Sequence, residues 1–140
     1  MSNEPSPPTV TQLRLVVEAE DFDDAVGFYR DVLGLREEFF VESEGDARVI
    51  ALQAGRATLE IINPGQRRLI DQLEVGSEVS RHIRVAFEVA DANLTTDRLV
   101  AAGAELLAAP TETPWRSLNS RLEAPAGLQI TLFEELDAAD

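Results

Sequence analysis

Cysteine and lysine are both missing from the 140 residues, and histidine occurs once. Without cysteine there is no disulfide, no thiol nucleophile and no thiolate-held metal. All 12 cationic residues are arginine. A lysine Schiff base is therefore excluded, and so is a P-loop, which sets a lysine on its phosphates. A Ser–His–Asp relay could use only His82. Cations are scarce altogether: 12 against 26 Asp and Glu leaves a net charge of −14. Nucleic acid and anionic membrane surfaces need clustered positive charge, so neither is an expected partner. No apolar run reaches about 18 residues, so no transmembrane helix is expected. Met1 to Thr11 is polar and Pro-rich. It lacks the basic and apolar regions of a secretion signal, and the expected location is cytoplasmic.

What remains is a chain with 44% hydrophobic residues, ordinary for a folded protein and too apolar for a disordered one. Its length suits one domain, or two small modules sharing a core. Residues 1–11, with Pro5, Pro7 and Pro8, read as a loose tail. Leu13 to Ala19 alternates like a strand. Asp21 then caps a helix in which Phe22, Ala25, Tyr29 and Val32 share one face, and Gly34 closes it. Strand-like runs follow at 38–42, 48–53 and 57–62, separated by Gly45-Asp46 and Gly55. Residues 63–80 read as a connector, opened by the turn Asn63-Pro64-Gly65 and holding a short helix over 66–73.

The pattern then repeats. His82 to Val89 alternates, Asp91 caps a helix, Gly103 closes it, and strand-like runs occupy 105–107, 116–123 and 128–133. Asp21 matches Asp91, and Arg14 matches Arg84, each at a shift of 70 residues. Two tandem βαβββ modules, 12–62 and 81–136, with residues 137–140 as a short tail, account for this. The fold class is α+β. Each four-stranded module buries one apolar face under its helix, and the two remaining faces form a curved, barrel-like cleft. Leu13, Leu15, Val17, Ile83, Val85, Phe87 and Val89 are the positions expected beneath the helices.

Asp21-Phe22-Asp23-Asp24-Ala25 followed by Phe28-Tyr29-Arg30-Asp31-Val32-Leu33-Gly34-Leu35 resembles the opening helix of the vicinal oxygen chelate superfamily. That superfamily includes glyoxalase I, bleomycin-resistance proteins and extradiol dioxygenases. Ala86-Phe87-Glu88-Val89-Ala90-Asp91 resembles its second-module opening, and Ala124-Pro125-Ala126-Gly127 a degraded form of its Asp-Pro-Asp-Gly turn. The resemblance covers about residues 12–134. It implies the tandem fold and a homodimer, but not one reaction, because the superfamily hosts many.

The resemblance also implies a divalent metal held by His, Gln or Glu on the first and fourth strands of each module. Those positions fall on Arg14, Glu60, Arg84 and Thr131. Arginine offers no lone pair and does not deprotonate, so only Glu60 remains a credible ligand, and one carboxylate is too few. A displaced register would instead use residues two positions earlier, about 6.5 Å along each strand. Gln12, His82 and Gln129 stand there, and Gln12, Glu60 and His82 make the alternative metal set. Trp115 and Phe133 are candidates to stack on a flat ligand. Phe39 and Phe40 read as core. The expected function is metal-independent binding of a small aromatic or anionic molecule, as in the bleomycin-resistance branch. Arg14 or Arg84 would pair with its anionic group, with no cofactor. The alternative is a metal-dependent lyase, isomerase or dioxygenase acting on vicinal oxygens, with Glu60 as ligand or proton carrier. A third reading is a non-catalytic module whose cleft its own ion pairs fill.

Overall fold

A computed structural model describes residues 9–137. The tails expected at 1–8 and 138–140 lie outside them. The first strand begins earlier than its alternation suggests, so Val10 and Thr11 belong to it rather than to a tail. The order is β1 (Val10–Glu18), α1 (Phe22–Val26), a π-helical turn (Gly27–Val32), β2 (Arg36–Glu42), β3 (Arg48–Ala54), β4 (Ala57–Ile62) and α2 (Pro64–Glu74). It continues with β5 (Ile83–Val89), α3 (Ala92–Ala101), β6 (Glu105–Glu112), β7 (Ser117–Ala124), a 3₁₀ turn (Pro125–Gly127) and β8 (Leu128–Glu135). Among the described residues no helix is long and apolar enough to cross a membrane.

All eight strands form one mixed sheet in the order β2-β3-β4-β1-β5-β8-β7-β6. Within each module the first strand runs parallel to the fourth, and β1 meets β5 antiparallel at the centre. Leu15 pairs with Val85 there. These two are also related by the 70-residue repeat, so an internal two-fold axis passes between them.

Period-two alternation sorts side chains to two faces. On the convex face, α1 covers Ile50, Leu52 and Ile61 through Phe22 and Val26. There too, α3 lies over Leu122, Ile130 and Leu132, with Ala92 and Val89 in the same cluster. On the concave face Val16, Val49, Ile62, Ala86 and Phe133 pack together, with Phe39 against them.

Two expectations about the convex face fail. The first helix does not keep one apolar face. Asp21 caps it by accepting from the Asp24 amide, as read from sequence. From Gly27 the winding loosens, and the Leu33 amide bonds five residues back to the Phe28 carbonyl at 2.9 Å. The slower winding carries Val32 out to 78% exposure, with Tyr29 at 37%. The central strands are also not fully covered. Leu13, Leu15 and Ile83 are 39%, 37% and 47% exposed, because each helix lies over its own module's outer strands.

The connector helix α2 contacts β3, β4 and β7 and therefore bridges both modules from the concave side. Asn63 caps it, accepting from the Gln66 and Arg48 amides at 2.8 and 2.9 Å, while its amide donates to the Asp46 carbonyl. Pro64 supplies the fixed φ of the first turn. Gly65 must be glycine, since a Cβ there would stand 2.9 Å from the Gly45 and Asp46 carbonyl oxygens.

Candidate functional site

The concave face encloses a cleft of about 470 Å³ lined by both modules and α2. Strand register sets its floor. Glu60 and Arg84 both pair with Val16, one on each side. Arg14 and Thr131 flank Ala86 in the same way. The outer members of each row thus stand about 10 Å apart at their backbones, with a small side chain between them. The pairs Arg14/Arg84 and Glu60/Thr131 occupy positions equivalent by the internal two-fold.

Equivalent positions carry unequal surroundings. The Arg14 guanidinium lies 4.9 Å from the centre of the Phe133 ring and 5.6 Å from that of Phe39, a cation–π sandwich. It stands 3.7 Å from Glu60 and 3.8 Å from Glu135, looser than hydrogen-bonded pairs. Its Nε is buried without a partner. Arg84 is 5% exposed and donates to Thr131 Oγ1 at 2.9 Å. Among the described residues it forms no ion pair. Burial lowers its pKa, with Arg121 adding to the effect and Glu74, Glu60 and Asp71 opposing it; an arginine nonetheless stays charged.

Glu60 faces the same space with no hydrogen-bond donor among the described residues. Burial pushes its carboxyl above the usual range, against the pull of Arg84 and Arg14. The carboxylates of α2 are the opposite case. Asp71 accepts from the Val79 and Ser80 amides, the Ser80 hydroxyl and Arg121. Glu74 accepts from Arg121 at 2.8 Å and from Asn119 at 3.0 Å. Arg121 itself is 0% exposed. This cluster was not read from the sequence, where α2 is a plain connector. A signal was present: Gln66, Ile70 and Glu74, spaced four apart, line the cleft, and Asp71 adjoins them.

All six residues expected to bind ligand, Arg14, Glu60, Arg84, Trp115, Thr131 and Phe133, line this one cleft. Phe39, read as core, lines it as well. Trp115 is 50% exposed on the β6–β7 hairpin. Beside it Arg116 adopts a left-handed φ of 66° and is tied to Glu112 Oε1 and the Asp137 carbonyl, each at 2.9 Å.

The alternative set Gln12, Glu60 and His82 does not come together. β1 and β5 are antiparallel, so stepping two residues back along each strand moves in opposite directions. Gln12 pairs with Glu88 and bonds to Thr58, whereas the His82 carbonyl takes the Glu18 amide and its side chain is exposed. Six strand residues, about 20 Å, separate the two. Gln129 is occupied with Val79, Glu123 and Arg121. At the family's own four positions the donors are two guanidinia, a hydroxyl and one carboxylate. Among the described residues no three His, Cys, Asp or Glu side chains converge on a common point. This donor set does not fit a divalent metal.

Comparison with solved structures finds the same architecture repeatedly. The methylmalonyl-CoA epimerase of Mycobacterium tuberculosis is 20% identical, with a TM-score of 0.68 over 96% of this chain and 95% of that one. A Streptomyces coelicolor methylmalonyl-CoA epimerase in complex with 2-nitronate-propionyl-CoA is also 20% identical, with a TM-score of 0.67 over 91% and 99%. A glyoxalase/bleomycin resistance protein/dioxygenase superfamily member from Vibrio splendidus is 12% identical, with a TM-score of 0.61 over 89% and 98%. At these identities the likeness is one of fold. No curated protein matches the sequence. The family model of the glyoxalase/bleomycin resistance protein/dioxygenase superfamily matches residues 11–132. With the tandem modules and the two-fold quartet on the cleft floor, that match places the chain in this superfamily.

Proposed function

We propose that the cleft binds a small organic anion with a flat apolar body, and that it does so without a metal. The observation that carries this reading is Arg84: a buried guanidinium that lines an open cavity and, among the described residues, has no carboxylate partner. Buried charges are ordinarily paired. Here the nearby carboxylates Asp71 and Glu74 are committed to Arg121. A ligand carboxylate would supply the missing counter-charge in the bidentate geometry that a guanidinium favours. Phe39 and Phe133 offer aromatic walls, Trp115 a rim on which a ring can stack, and the volume suits a small ligand. A module filled by its own ion pairs would leave no such space.

The test compares phenylacetate with its neutral isostere phenylacetamide by calorimetry. Phenylacetate should bind at least about tenfold more tightly, and Arg84→Met should abolish that preference, since a buried charge contact contributes about 2 kcal/mol or more. Equal affinities in the wild type would overturn the reading.

A second reading draws on Glu60. An acceptor-only group, held above its usual pKa and left without donors, suits a general base. In an isomerase or lyase of this superfamily, Glu60 would take a proton from the carbon next to a carboxylate. The electron pair would move onto oxygen, where Arg84 and Thr131 stand to receive it. The epimerases among the structural neighbours agree with this reading in fold.

A further inference from the structure

The roof of the cleft is polar at both ends of α2 and apolar between them. Gln66, Ile70 and Glu74 follow one another at four-residue steps along the helix and line the cavity. From Gln66 to Glu74 the helix advances about 12 Å. Arg84 lies toward the Glu74 end: it donates to Thr131, and Arg121, the strand partner of Thr131, holds Glu74. The middle is apolar, with Ile70 and Val49 buried and Phe39 and Phe133 also in the lining. At the other end Gln66 is 6% exposed, and its Oε1 is buried with no hydrogen-bond partner among the described residues. We propose that Gln66 is the specificity-determining residue for the far end of the ligand, where it selects a neutral N–H or O–H donor. This rests on the reading that Arg84 takes the anionic group. The ligand class narrows to acids with a flat apolar middle and a hydrogen-bond donor at the opposite tip.

The Gln66 amide has no structural task among the described residues. Its backbone N–H serves the helix cap, donating to Asn63 Oδ1 at 2.8 Å, while the side-chain oxygen is left over. A buried oxygen without a donor costs free energy that an apolar side chain of similar length would not. Glu74, two steps along, is the contrast: Arg121 and Asn119 both donate to it. The Gln66 group is also free to turn. The last torsion of a glutamine is broad and roughly two-fold, so the amide can present its oxygen to the cavity while α2 stays in place. The helix itself is fixed there by Pro64 in its first turn and by Gly65 against the Gly45 and Asp46 carbonyls. The matching donor is neutral, because an uncharged oxygen does not repay the desolvation of a full charge. Anion and donor thus meet opposite ends of one helix, with the apolar middle between them.

The test is calorimetric titration of the full chain with para-carbamoyl-phenylpropionate and its para-acetyl analogue. The two have the same shape and the same carbonyl, and only the carbamoyl group carries N–H donors. The wild type should bind the carbamoyl acid at least about fivefold more tightly, the size of one neutral hydrogen bond to a group otherwise unpaired. Gln66→Met should bind the two equally. Without ligand, Gln66→Met should melt no lower than the wild type, since its amide has no partner to lose. Equal binding by the wild type overturns the inference, and so does a preference that survives in Gln66→Met. A variant that melts well below the wild type, or does not fold, overturns it too, because the amide is then paired within the fold. Phenylpropionate against phenylpropionamide separates the two readings. A preference for the acid there, with carbamoyl and acetyl equal, removes the role of Gln66 and leaves that of Arg84. Absence of binding by every acid overturns both.

Discussion

A single carboxylate shows how burial without hydrogen-bond donors becomes measurable. Burial raises the Glu60 pKa above its unfolded value despite two nearby guanidinia. The folded state therefore holds the proton more tightly than the unfolded chain. That preference stabilises the fold at pH values below the unfolded pKa, and it is lost as pH rises through the folded one. Once ionised in the folded chain, Glu60 is a cost of about 1.4 kcal/mol for each pH unit that separates the two pKa values. Glu60→Gln should therefore raise stability at pH 7 and leave it nearly unchanged near pH 4, read from urea unfolding at both. A variant less stable at pH 7 would show that the Arg14 and Arg84 attractions outweigh burial. Sequence spacing placed Glu60 and both arginines at the family's metal positions. It could not show which arginine is sandwiched between phenylalanines and which lacks a carboxylate, because that depends on how far each long side chain reaches.

Among the elements, α2 departs most from its sequence reading. Turn chemistry at Asn63-Pro64-Gly65 announced it, and the helix forms where that signal stands. Its task was not legible, because Asp71 and Glu74 look like ordinary solvated acids until β7 sets Arg121 beneath them, 50 and 47 residues away. Arg121→Met leaves two buried carboxylates without their cation. Losing one partner of such a cluster costs about 3–5 kcal/mol. The melting temperature should fall by roughly 10 °C or more, and scanning calorimetry reads it directly. A shift of only a degree or two would mean that α2 can leave the sheet without unfolding the modules. The first helix teaches the converse lesson. Its cap and its Gly34 end were readable, but a 3.6-residue period cannot show where the ladder slips to five-residue bonds.

For the whole molecule, the repeat at a shift of 70 residues made the tandem architecture legible, since Asp91 and Gly103 punctuate the second module much as Asp21 and Gly34 do the first. The displaced metal register failed at this same scale. Strand direction belongs to the assembled sheet, and an antiparallel β1–β5 pair sends equal shifts to opposite ends. The net charge of −14 also acts globally. Raising salt from 0.01 M to 0.15 M shortens the screening length from about 30 to about 8 Å. Self-repulsion should weaken and the melting temperature rise by a few degrees, on the order of 1 kcal/mol; a fall would mean that ion pairs outweigh the repulsion. The internal two-fold has a final consequence, since α2 breaks it. Two half-sites that begin as equals become one closed under a helix and one lined by aromatic rings. In the function proposed above, a bound molecule would lie one way round, its charged end toward Arg84. With head and tail fixed, the side walls would be distinguishable too, so on that proposal a ligand and its mirror image would meet different surfaces, and the cleft would read handedness.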